Sequence, residues 1–115
     1  MVHDLNTGIP FDDNSIEEIF AAHSMEHFSN IYFMLDECFR VLKPEKILEI
    51  IVPLYEIRSV DHVNCFYPDW FERNITLPGA RYSEKFQIIW KQIILVDIPE
   101  EYRAFWKLHI KLQKI

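Results

Sequence analysis

The segment His23-Ser24-Met25-Glu26-His27 places two imidazoles, a hydroxyl and a carboxylate within five residues. An imidazole can take a proton from a hydroxyl or an amine near neutral pH. The same letters spell His-x-x-Glu-His, an inverted zinc-hydrolase pattern that requires one helix to turn both histidines onto one metal. Here His23 follows the short apolar run Ile19–Ala22, which reads as a buried strand, and the next helix starts near Ser29. The pattern therefore assigns no metal, and Glu26 and His27 read as a hydrogen-bonded pair in a loop or helix start. His62, Tyr67 and Trp70 form a second group. They suit the wall of a small-molecule pocket, or equally the packing of an irregular segment.

The elements that must position these residues follow from periodicity. Val2–Leu5 reads as the end of a short strand, followed by a turn over Asn6–Pro10 and a second turn cluster, Asp12–Ser15, with room for one helical turn. Ser29 or Asn30 can cap a helix to about Leu42. Its apolar face carries Ile31, Met34, Leu35, Cys38, Phe39 and Leu42. The run Ile47–Val52, broken only by Glu49, predicts a strand covered on both faces. Pro68–Glu72 predicts a helix start with an acidic first turn. Residues 86–96 predict a strand. Trp106, Leu108, Ile110 and Leu112 alternate with polar residues and predict another, and Lys107, Lys111 and Lys114 mark its wet face. Strands alternating with helices predict an α/β fold with a largely parallel sheet.

Composition narrows the function. The chain has 115 residues, half of them apolar, and a net charge of −6. That supports a packed core within one domain and argues against nucleic acid as a partner. No apolar run approaches the roughly 20 residues of a membrane span. No secretory leader is evident before Pro10, and Cys38 and Cys65 read as free thiols, so a soluble cytoplasmic protein is expected.

Three segments in order carry a resemblance: Asp4–Ile16 with its Leu5-Asn6-Thr7-Gly8-Ile9-Pro10-Phe11 stretch, then Ile19–Phe28, then Glu37–Pro44, ending Arg40-Val41-Leu42-Lys43-Pro44, before the strand Ile47–Pro53. Together they resemble the C-terminal half of class I S-adenosylmethionine-dependent methyltransferases of the small-molecule type, methyltransferase type 11-like. The resemblance implies a partial doubly wound, Rossmann-like sheet lacking the family's first two strands and ending in an antiparallel hairpin. It makes residues 1–115 a single partial domain from the third strand onward.

The resemblance also implies roles. Asp4 would accept from the adenine amino group, Leu5 would line the adenine, and His23 and Ser24 would border the methionine end. His23 would be the candidate base, His62, Tyr67 and Trp70 would line the acceptor pocket, and Phe11 would pack as core. Glu26 and His27 fall where some relatives hold a divalent ion. The family's Gly-rich cofactor loop has no counterpart among two glycines, and Glu45-Lys46 replaces the usual Gly-Gly. A side chain in that left-handed position costs about 1 kcal/mol. The implied activity is methyl transfer to a small-molecule acceptor with S-adenosylmethionine as cofactor, the chain being inactive alone. Its exposed strand edge would pair in a homodimer or with a completing chain. The alternative is a non-catalytic remnant serving as a protein-interaction module.

Overall fold

Asn30 opens the first helix: its side-chain oxygen accepts from the Phe33 backbone N–H at 3.1 Å, satisfying a donor that every helix start leaves open. The helix, α1 (Ile31–Val41), buries Ile31, Met34, Leu35, Cys38 and Val41, the stripe its periodicity predicts. The computed structural model that shows this describes residues 5–54, 65–101 and 103–115. Asp4 and His62, and most of the strand expected at Val2–Leu5, lie outside the described residues. Leu5–Thr7 forms one turn of 3-10 helix.

Four strands form one sheet: β1 (Ile16–Ala22), β2 (Leu42–Pro53), β3 (Phe86–Ile98) and β4 (Arg103–Lys114), in the order β1-β2-β4-β3. A short helix, α2 (Trp70–Ile75), precedes β3. β1 and β2 pair in parallel, and β4 runs antiparallel to both of its neighbours. Three strands therefore point one way, as the sequence predicts, while β4 is threaded between two of them. The expected closing hairpin is β3–β4.

The core lies on one face of this sheet. Leu48, Ile50 and Val52 of β2 and Leu108, Ile110 and Leu112 of β4 are fully buried, in one cluster with Met34, Leu35 and Cys38 of α1 and Phe71 and Ile75 of α2. The opposite face holds Glu49, Ile51, His109 and Lys111 in a half-buried state. There the Glu49 carboxylate contacts His109 Nε2, and the Trp90 ring meets His109 edge-on at 4.7 Å. Among the described residues, then, β2 is covered on one face and not on both.

Several other expectations need correction. Phe11 is 54% exposed and not core. The turn that carries it is held by backbone contacts to Arg40, which leave the ring outside. Asp12–Ser15 forms a turn without a helix, with Asn14 at φ +52°. Trp106 has the phase of the buried face yet is 47% exposed, where the β3–β4 hairpin runs on past the last β2 pairing, Pro53 with Lys107. Lys114 shares that phase and is 7% exposed. Its ammonium donates to Asn14 Oδ1 at 2.8 Å, Phe39 O at 2.6 Å and Leu42 O at 2.7 Å. It therefore serves as a cation at the C-terminus of α1 and not as part of a wet face.

Arg40 closes the same end of the sheet. Its guanidinium donates to Ile9 O, Phe11 O, Asp13 and Glu37, and Glu37 Oε1 accepts from the Ile9 N–H at 2.9 Å. Gly8 makes room for this arrangement. It sits at φ +119°, and a Cβ there would lie 2.9 Å from Glu37 Oε1. Glu45 does occupy the left-handed region, at φ +70°, where the resemblance led one to expect a glycine. No described helix is long and apolar enough to cross a membrane.

Candidate functional site

The carboxyl ends of β1, β2 and β3 share one rim, the place where open α/β sheets bind ligands. A cleft of about 350 Å³ opens there. His23, Glu26 and His27 enter it from the end of β1, Pro53 and Ile98 close β2 and β3 against it, and Arg103 and Phe105 reach it from the start of β4.

The local backbone explains how the first group arrives. The His23 N–H donates to Ile51 O at 2.8 Å, the last rung between β1 and β2. His23 itself takes φ +55°, a left-handed turn that costs a residue with a side chain roughly 1–2 kcal/mol. That turn throws the chain out of the sheet into a single 3-10 turn, Met25–His27, begun by Ser24 without a side-chain capping bond. Met25 anchors the turn in the core and drags its neighbour inward, so that Glu26 is only 1% exposed. The zinc-hydrolase geometry is absent, since His23 ends a strand and His27 lies in a different element.

The expected Glu26–His27 pair does not form. Glu26 Oε1 is buried without a hydrogen-bond partner. The Nε of Arg103, across the same cleft, is also buried and unpartnered. The rest of that guanidinium is held: Nη1 lies 3.4 Å from Glu101 Oε2, and the group rides 4.9 Å over the Phe105 ring. Buried polar groups are nearly always bonded, so two open ones in one cleft need an explanation.

The other candidates from the sequence lie elsewhere on the surface. Leu5 lines an apolar groove of about 380 Å³ with Ile9, Phe11, Ile16, Ile19 and Phe20, along the free side of β1. The residue after Leu5 is tied to the segment just beyond the Met25–His27 turn: Asn6 Oδ1 accepts from both N–H and Oγ of Ser29, at 3.0 and 3.1 Å. Tyr67 and Trp70 line a third cleft with Asp69 and Arg73. There Trp70 stacks on Tyr32 at 6.1 Å and meets Phe71 edge-on at 4.8 Å, and Arg73 holds the Asp69 carboxyl below its ordinary value through a 2.7 Å hydrogen bond. His23 and Ser24 thus sit at the rim, while Leu5 and the Tyr67–Trp70 pair each occupy separate surfaces. Sequence reading missed Glu26 as a buried group. A carboxylate directly after an apolar residue that must enter the core was the available signal. Arg103 follows a Pro-Glu-Glu turn and gave none.

Residues 1–50 match the family model of a methyltransferase domain. The chain superposes on an S-adenosylmethionine-dependent methyltransferase from Methanosarcina mazei with a TM-score of 0.71 at 13% identity, over 96% of this chain and 64% of that one. The chain is similar in fold to the class I methyltransferases. A second methyltransferase-fold structure similar to it is the complex of the Haloferax volcanii methyltransferase activator Trm112 with a protein described as a methyltransferase. The TM-score there is 0.74 at 18% identity, covering 98% and 59% of the two chains. A third is the [4+2]-cyclase SpnF, with a TM-score of 0.66 at 14% identity, covering 95% and 53%. The chain therefore spans between 53% and 64% of the length of these structures. No curated protein matches it.

Proposed function

We infer that this chain takes part in methyl transfer from S-adenosylmethionine to a small-molecule acceptor, as the C-terminal part of a class I methyltransferase domain. The observation that carries the reading is the cleft at the shared carboxyl rim of β1, β2 and β3, with His23 turned out at the tip of β1. A fold hosts more than one chemistry, as the cyclase neighbour illustrates, so the reading rests on this site as well as on the fold.

The residues present fit one side of a cofactor shell. Leu5 stands on an apolar groove that suits a flat ring, and Ser24 presents a hydroxyl without a capping bond beside His23. Asp4, by resemblance the partner of the adenine amino group, lies next to Leu5 in the chain. No Gly-rich loop occurs among the two glycines, Gly8 and Gly79, so the other side of the shell comes from a longer chain or a second one. When bound, the cofactor supplies an electrophilic methyl group. The chain's own part is to orient the acceptor in the cleft and to receive its proton at His23. By resemblance His62, Tyr67 and Trp70 would line the acceptor pocket, but Tyr67 and Trp70 line a cleft apart from the rim, so the acceptor reading rests on the rim cleft alone. Both cysteines are free, which suits a cytoplasmic enzyme.

Calorimetric titration with S-adenosylhomocysteine tests this. Heat with the chain, alone or with a completing chain, that falls on Ser24→Trp substitution is the expected result. Absence of heat under every condition overturns it.

A second reading has its own support: a partner-binding remnant. Among the described residues β1 ends the sheet, and the exposed Phe11 and Phe20 line a groove along it, a surface suited to a homodimer or a completing chain. One neighbour was itself solved with an activator protein. A monomer by light scattering that melts sharply and cooperatively would contradict this second reading.

A further inference from the structure

The rim cleft contains two opposite and unanswered polar groups. Glu26 is 1% exposed and its Oε1 has no partner. The Nε of Arg103 is likewise buried without one, while Nη1 lies 3.4 Å from Glu101 Oε2 and the guanidinium sits 4.9 Å over the Phe105 ring. Both residues line the same cleft and make no ion pair with each other. Leaving a buried donor or acceptor unmade costs about 1–3 kcal/mol, more when it is charged. Two such costs on residues that line one cleft suit a molecule that answers both.

We propose that this cleft holds a small amphoteric molecule, whose N–H or ammonium group donates to Glu26 Oε1 and whose acceptor oxygen takes the Arg103 Nε–H. The two protein groups fix the ends and the polarity of that molecule. A carboxylate can only accept and a guanidinium can only donate, so neither a simple amine nor a simple acid satisfies the cleft. The volume of about 350 Å³ is at the small end for ligand sites and suits a metabolite. Ile98 and Phe105 supply apolar contact, and His23 and His27 face the same space, which makes an amino acid or an amino-alcohol ester of an acid the best-matched class. The inference rests on the methyl-transfer reading only in naming this molecule the methyl acceptor; the binding site stands without it.

The test follows backbone amide resonances of the full chain during titration with γ-aminobutyrate, and separately with n-butylamine and with butyrate as one-ended probes. The expected result is saturable shifts at Glu26, His27 and Arg103 with γ-aminobutyrate, and about tenfold weaker binding of each one-ended probe. Glu26→Gln and Arg103→Gln should each weaken γ-aminobutyrate about tenfold while leaving butyrate and n-butylamine, respectively, unchanged. Equal binding of all three probes, shifts confined to other residues, or undiminished binding in both variants overturns the proposal. If Glu26→Gln fails to fold, the wild-type probe ranking and Arg103→Gln decide. A parallel titration with S-adenosylhomocysteine reports on the methyl-transfer reading alone, so the two can fail separately.

Discussion

The two ends of the sheet treat charge in opposite ways. Where β1 and β2 begin, Arg40 binds two carbonyls and two carboxylates, and Lys114 binds Asn14 and two carbonyls near the end of α1. Where the same strands finish, Glu26 and Arg103 each keep a buried atom open. The first end uses charge to join a loop, a helix and a strand. The second accepts an energetic cost and leaves buried polar atoms unbonded on residues that line a cleft. Such a contrast separates a structural end from a binding end more sharply than residue type does, since both ends contain the same kinds of side chain.

Substitutions can break the contrast, and the largest effect is expected at the closed end. Lys114→Met removes the donor from three acceptors and should cost about 3 kcal/mol by urea unfolding; a loss under about 1 kcal/mol would make Lys114 an incidental contact. Glu26→Leu, at the open end, should do the reverse. Removing a buried carboxylate with an unpartnered oxygen is expected to raise stability by about 1–2 kcal/mol while weakening cleft binding at least about tenfold, and a marked loss of stability would show that Glu26 holds the fold. Glu45→Gly relieves the left-handed strain at φ +70° and should add about 0.5–1 kcal/mol to the midpoint energy, a gain confined to the closed end. The smallest effect is in acid. The Arg40 hydrogen bond and the Ile9 N–H hold the Glu37 carboxyl below its ordinary 4.5. Its contribution is therefore complete above pH 4.5 and is lost as the pH falls through the lower folded value. Acid unfolding of Glu37→Gln should show a shallower slope in that range.

Much of the closed end was legible from the sequence. Asn30 before an i, i+3, i+4 stripe defines α1, and the β-branched run at Ile47 defines a strand, because local spacing alone sets both. Asn-rich and Gly-bearing turns were likewise readable, and Glu45 in a glycine's place proved to be in the left-handed region anticipated for it. Lys114 was misread by residue type when its phase with Leu108, Ile110 and Leu112 already placed it inward. Phe11 was misread because aromatics are usually buried, and Trp106 because it shares the phase of Leu108, whereas exposure depends on which element arrives to cover them. The open end was the least legible. His23 and Ser24 could be placed at a strand tip, but the partnership of Glu26 with Arg103 spans two elements 77 positions apart in the chain, and no local pattern links them.

The threading of β4 has a temporal consequence. β4 follows every other strand in the chain, yet it lies inside the sheet and joins β2 to β3. During synthesis those two strands emerge with no bond between them, and their facing edges stay open until β4 clears the ribosome tunnel. Only then can Lys114 reach Asn14, 100 positions upstream. A nascent chain of this protein thus waits for its central strand, and long-range pairing of that kind sets a slow folding rate and a long interval in which a chaperone or a second chain can bind the gap.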